Sequence, residues 1–391
     1  MKVGILTYHW IYNFGGQLQA MATAEALKQL GYEPVVINLI QPDVRKEFYE
    51  RLVSKTQQEA HINFSKNHLP ITKECNTEQD LIDVVNEHEL KHILVGSDAV
   101  FFIKYPHSPL SDTRYPSLFW MSWISKCKNH EDIKIHSISA SSMETNFRIM
   151  PKDVRQGLRD SLERFSTVTV RDKWTKWFIS RVNPNRKVYI TPDPVMSFNK
   201  NVSKEILDNI KIPIEGKYVL YGLEHQHGEE RVEALTKFKK LVNDKGYKLV
   251  SLPFPETSYS KFDDETISEP VDVLLWYKLI QNASAVISEK FHPIVVSIHN
   301  KVPFYAIDSY GDRISKKFII PIHMKIQSKT YDLCKRNGLK HVHLPTSKFQ
   351  IDKIDLMVET LFDKPWDFSK SEPRAEEFSN AVSKLVKNQF D

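Results

Sequence analysis

The stretch Ser288-Glu289-Lys290-Phe291-His292 decides how this chain is read. It follows a short apolar run, Ser284-Ala285-Val286-Ile287, and precedes a second, Ile294-Val295-Val296-Ser297-Ile298. The first run reads as a buried strand. The second reads as a buried helix that ends at His299-Asn300-Lys301. Glu289, Lys290 and His292 therefore fall at the carboxyl end of a strand, where open α/β sheets bind their ligands. A helix start at that point offers N–H groups and the positive end of a dipole, which suits an anion. Lys290 adds a point charge, and the imidazole of His292 can give or take a proton near neutral pH. A capped helix start with solvated charges is the competing reading of the same five residues.

Working outward, the strand–loop–helix pattern repeats along the chain. Val3–Tyr8 reads as a strand and Gln17–Leu30 as a helix with Leu18, Met21, Leu27 and Leu30 near one face; Gly31 follows as its terminator. Pro34–Leu39 is a β-branched run, which indicates a parallel strand covered on both faces. The polar segment Gln41–Thr77 reads as a helix plus an excursion over the first domain. Further strands are predicted at Lys91–Val95, Ile133–Ser139, Thr167–Val170 and Lys187–Ile190, with helices at Glu78–Leu90, Pro151–Phe165 and Trp174–Arg181. Asn199–Pro213 is polar and mixed and reads as a linker. Lys217–Tyr221 then restarts the βα pattern, with helices at Glu229–Asp244 and Val271–Asn282, strands at Tyr247–Leu252 and Val302–Ile307, and a helix beginning at Gly311–Lys317. Helices at Ile351–Phe362 and Ser371–Lys387 close the chain, with a crossing of the last back onto the first domain left open. The fold class is α/β: two Rossmann-like domains, 1–198 and 199–391, in a GT-B-like arrangement with a central cleft.

Bulk properties narrow the function. The chain has 391 residues, 41% hydrophobic and 26% charged, enough for two sizeable cores. The net charge of +5 is too small an excess for a nucleic-acid footprint, so no nucleic-acid partner is expected; it suits anionic small substrates or peripheral contact with a membrane face. Three widely separated cysteines, Cys75, Cys127 and Cys334, form no framework and indicate a reducing cytoplasm. The start Met1–Tyr8 lacks the apolar core of a signal peptide, and no run approaches a membrane span.

Five constellations bear on chemistry. Between the first strand and helix lies His9-Trp10-Ile11-Tyr12-Asn13-Phe14-Gly15-Gly16-Gln17, where Gly15 and Gly16 let backbone N–H groups approach a ligand or merely make a tight turn. Gly96-Ser97-Asp98 ends a strand; Asp98 is a candidate to orient a hydroxyl or relay a proton, or else an N-cap. Arg171-Asp172-Lys173 follows Thr167–Val170, and an Arg at a strand end facing a cleft suits a carboxylate or phosphate; the alternative is a surface Arg–Asp pair. Asp193, between two prolines, is a rigid turn or a cleft carboxylate. Glu289, Lys290 and His292 form the fourth group. The fifth, Glu224, His225 and His227, has no third ligand at a defined spacing, so no metal site is assigned.

Taken in order, these pieces resemble the polysaccharide pyruvyl transferase family. Asn13-Phe14-Gly15-Gly16-Gln17-Leu18-Gln19, Val95-Gly96-Ser97-Asp98, Val170-Arg171-Asp172, Asp193-Pro194 and Ile287–His292 are similar to its motifs, out to about Asp308. Lys290 stands where some members have Arg, and Pro293 where many have Gly. The resemblance implies transfer of a pyruvyl group from phosphoenolpyruvate to a saccharide acceptor, lipid-linked or free, in cell-surface polysaccharide biosynthesis, with no cofactor. It implies His292 as general acid or base, with Arg171 and Lys290 on the donor's anionic groups. Asp98, Glu289, Asn13, Gly15, Gly16 and Ser97 are the remaining catalytic or substrate-binding candidates. On this reading Arg171 and His292 converge on the donor, and Arg171→Ala chiefly weakens donor binding. A nucleotide-sugar glycosyltransferase and a non-catalytic glycan-binding protein are the two alternatives.

Overall fold

The computed structural model describes residues 1–49, 53–106, 108–223, 229–255, 262–308 and 328–390. The chain divides into two compact units, Met1–Val202 with Arg374–Asp391, and Ser203–Pro373. The division falls inside the expected linker. The last helix, counted from sequence with the second domain, belongs to the first.

The first unit is built on β1 (Lys2–Leu6), α1 (Phe14–Gln29), β2 (Glu33–Val36), α2 (Lys55–His68), α3 (Glu78–Glu87), β3 (His92–Val95), β4 (Lys134–Ala140), α4 (Lys152–Glu163), β5 (Phe165–Val170), α5 (Lys173–Val182) and β6 (Val188–Ile190). Its six strands are all parallel, in the order β2-β1-β3-β4-β5-β6. The order reverses between β1 and β3. In a doubly wound sheet this is the crevice where ligands bind, outside the strand ends. The ends that meet there lead into the 7–13 loop and into Gly96-Ser97-Asp98, two of the motifs singled out from sequence.

Helix α1 differs from the one-faced helix expected. Every residue from Phe14 to Ala24 is buried, including Gln17, Gln19 and Thr23. Small residues make this possible: Gly and Ala leave room for neighbours on several sides, and the polar side chains are bonded rather than solvated. The 41–77 segment is likewise no loose excursion. Its described part holds α2, capped by Ser54, whose Phe64 and His61 are buried. Parallel bridges Val36↔Ile71 and Leu39↔Cys75 stitch its return to the sheet edge.

The second unit contains β7 (Tyr218–Gly222), α6 (Glu229–Asp244), β8 (Lys248–Ser251), α7 (Val273–Gln281), β9 (Ala285–Ser288), α8 (Phe291–His299), β10 (Phe304–Asp308), α9 (Lys329–Arg336), β11 (His343–Pro345) and α10 (Ile354–Phe362). Its five parallel strands run β11-β10-β9-β7-β8. Here the order reverses between β7 and β9, and Ser288-Glu289-Lys290 leaves β9 at that point. The expected helix start at 311–317 and the His225/His227 loop lie outside the described residues. Helix α11 (Arg374–Val386) packs on α1 and on the Pro194–Ser197 turn of the first unit, burying Phe378, Val382 and Leu385.

Candidate functional site

At the β1/β3 reversal the structure assembles a buried charge network. Arg171, delivered by the end of β5, has a side chain only 1% exposed. Its Nη1 donates to Asp193 Oδ2 at 3.0 Å and its Nη2 to Asp98 Oδ1 at 3.1 Å. Gln19, on the buried face of α1, donates to the same Asp193 oxygen at 2.6 Å and to Ser97 Oγ at 3.3 Å. Ser97 Oγ in turn donates to Ser139 O at 2.7 Å. Burial alone would lower the guanidinium pKa, but Asp98, Asp193 and Asp172 together hold it above its ordinary value. Arg171 is thus neither the cleft-facing cation nor the surface pair expected from sequence. The reason is three-dimensional: two carboxylates from strand ends 73 and 22 residues away reach it first. Asp98 is the member that touches solvent, at 14% exposure. It is not an N-cap; it bridges to Ala140 with a left-handed φ of 66°. Asp172 is the N-cap of α5, accepting from Thr175 N at 2.7 Å.

The glycine-containing loop plays a different part from the ligand cradle considered above. Asn13 is the N-cap of α1 and accepts from Gly16 N at 3.1 Å, while its side chain remains exposed. Gly15 and Gly16 are both buried; a Cβ on Gly16 would stand 3.0 Å from Tyr8 O, so this glycine accommodates the chain's own backbone. Beneath the loop, His9 is buried with Nε2 at 2.9 Å from Asn38 Oδ1 and Nδ1 at 3.2 Å from Thr7 O. Burial lowers its pKa against the pull of those two bonds. Nearby, Tyr8 donates to the buried Asp112 at 2.9 Å, and burial pushes that carboxyl up. His9 and Gln19 were quoted from sequence only as members of their motifs, with no role of their own, and nothing local marks Asp112.

At the second unit's reversal point, Glu289 N donates to Gly222 O at 2.9 Å, tying the end of β9 to that of β7. Gly222 has no room for a side chain: a Cβ would come within 2.8 Å of Phe254 and 3.2 Å of Ser288 Oγ. Lys290 is the N-cap of α8, with its own N–H donated to Ser288 Oγ at 3.0 Å and its ammonium 5.6 Å from the centroid of Phe254. His292 lies in the first turn of α8, partly buried, edge-on to Phe291 at 5.3 Å. Pro293 is tolerated there because first-turn N–H groups have no intrahelical acceptor. Glu289 pairs with Arg231 of α6, and both side chains are about nine-tenths buried, at 9% and 11% exposure. Arg231 is a further residue that sequence alone did not mark. Among the described residues no three His, Cys, Asp or Glu side chains are grouped to hold a metal ion.

Chemically, the first unit offers a carboxylate held by a buried arginine, and the second a lysine and an imidazole at a helix N-terminus. Two parallel α/β units of this kind are those of the GT-B fold class. Solved structures agree on the fold. UDP-GlcNAc 2-epimerase from Methanocaldococcus jannaschii superposes with a TM-score of 0.60 at 12% identity, over 99% of this chain and 100% of that one. UDP-N-acetylglucosamine 2-epimerase from Rickettsia bellii gives 0.53 at 10%, over 99% and 96%. No functionally curated protein matches the chain in sequence. The family model of polysaccharide pyruvyl transferase matches residues 13–310, a span that includes all five motifs. The chain belongs to the polysaccharide pyruvyl transferase family.

Proposed function

We propose that this protein transfers the pyruvyl group of phosphoenolpyruvate to two hydroxyls of a saccharide, forming a cyclic ketal. The observation that carries the reading is the position of Lys290 and His292, inside the matched span, at a helix N-terminus on the switch point of the second sheet. Phosphoenolpyruvate has a carboxylate and a phosphate, so it calls for cations and helix N-termini. In this reading Lys290 and the first turn of α8 hold the donor's anionic groups. His292 delivers a proton to the methylene carbon, which makes C2 electrophilic. A sugar hydroxyl adds to C2 and loses its proton, the C2–O bond to phosphate breaks, and the neighbouring hydroxyl closes the ring with loss of its own proton. One of the two hydroxyl protons restores His292 and the other leaves with inorganic phosphate. Within the first unit, Asp98 is the carboxylate offered to a saccharide hydroxyl, and Arg171 acts through Asp98 as a positioning residue. Glu289, fixed by Arg231, sets the backbone of the strand end.

Ligand-dependent unfolding tests the donor assignment. Phosphoenolpyruvate should raise the thermal midpoint of the wild type and raise that of Lys290→Ala much less. Stabilisation by UDP-sugars with no response to phosphoenolpyruvate would transfer the protein to the nucleotide-sugar reading.

A further inference from the structure

We propose that one outer face of the first unit docks on an anionic phospholipid surface. Residues 141–190 hold eleven Lys and Arg against five Asp and Glu, an excess of six, whereas the whole chain carries +5. The remainder of the protein is therefore nearly neutral. Arg171 and Asp172 are buried and cancel, so the excess lies on the surface.

Geometry gathers these charges. The segment forms α4 and α5, which pack against each other beside β5. On α4, Lys152, Arg155 and Arg159 recur at i, i+3 and i+7 along one side, which Glu163 closes at the helix end, while Asp153 and Asp160 share the other. Arg159 Nε donates to Val182 O, at the end of α5, at 3.1 Å, so the basic side is the one that borders α5. From Lys173 to Val182, α5 contains no acidic residue, and it exposes Lys176 and Arg181. Just before α4, the single turn Phe147–Ile149 packs on α5. There Ile149 is 49% exposed beside the exposed Arg148, and Arg155 lies 4.5 Å over the Phe147 ring while donating to Arg148 O at 2.9 Å.

An exposed aliphatic side chain standing in a basic field matches a bilayer interface, where acyl chains receive the one and anionic headgroups the other. A soluble polyanion would match the charge but leave Ile149 without a counterpart. No described helix is long and apolar enough to cross a membrane. The turn follows β4 and lies on the strand-end rim that also carries Asp98 and Arg171. The inference goes beyond the proposed chemistry, and vesicle binding needs no turnover, so either can fail alone.

Flotation of the purified full-length protein with phosphatidylcholine vesicles, with and without phosphatidylglycerol, tests it. The wild type should float with the anionic vesicles only and be released by high salt. The combined variant Arg148→Glu, Lys152→Glu, Lys176→Glu should bind roughly tenfold or more weakly, as three juxtamembrane charges require. Ile149→Asp should weaken binding at low salt as well. Lys240→Glu, on the exposed side of α6, should bind as the wild type does. Absence of binding to anionic vesicles, equal binding by the triple variant, or tight binding to heparin with none to vesicles would overturn the proposal.

Discussion

Arg171 shows how far a single residue can be read from its neighbours in sequence. Its type and its place at a strand end were legible; its partners were not, because Asp98 and Asp193 become neighbours only after folding. A buried guanidinium between two carboxylates holds the network together, and removing it leaves those charges without a counterion. Arg171→Ala should therefore cost about 3–5 kcal/mol of stability, read as a lower urea midpoint, where the sequence had suggested chiefly weaker donor binding. An unchanged midpoint would show that the network contributes nothing. His292 is the contrasting case: it lies in the helix first turn expected for it. On the proposed mechanism, His292→Ala should lower turnover by roughly 10²–10⁴ while the circular dichroism spectrum and unfolding midpoint stay put. Full activity in that variant would remove His292 from the chemistry.

Among the elements, the βα units with strong apolar strands were legible. Glu229–Asp244 has the bounds expected for it, whereas the caps Asp172, Asp272 and Thr77 show only in the structure. Weakly patterned pieces were not. Helix α9 reads Lys-Thr-Tyr-Asp-Leu-Cys-Lys-Arg, with too few apolar positions to show a face, and β11 has only three residues. The β3 end has a sharper requirement. Gly96 has φ of +121°, and a Cβ there would stand 2.4 Å from Ile138 O. Gly96→Ala should destabilise by at least ~1–3 kcal/mol through backbone strain alone, seen as a lower thermal midpoint; a midpoint equal to wild type would show that the strand end can shift freely. Within the same sheet, the ring of His136 is fully buried and stacked on His92 at 5.8 Å. Burial, assisted by His92 and Lys134, takes its pKa from the ordinary 6.5 down to about 3. The unfolded chain binds this proton more readily, so stability present above 6.5 is lost as pH falls toward 3. Urea unfolding at about pH 7 and about pH 4.5 should show this loss, and His136→Leu should reduce it. An identical pH dependence in both proteins would assign the acid lability elsewhere.

For the whole molecule, the repeated βα pattern was enough to read two Rossmann-like units, and the ordered motifs were enough to read the family. The last helix was counted with the second domain while its crossing back onto the first was left open, since an amphipathic helix does not state which core receives it. Family membership makes a transferase the reading to test, and the donor decides the account. Incubation with isotopically labelled phosphoenolpyruvate and candidate saccharides, followed by mass spectrometry, measures it directly. An acid-labile pyruvyl adduct on the saccharide is expected, with one inorganic phosphate released per adduct and both formed roughly 10²–10⁴ times more slowly by His292→Ala. Labelled donor recovered intact across the acceptors tested, with sugar transfer from a nucleotide donor in its place, would contradict it.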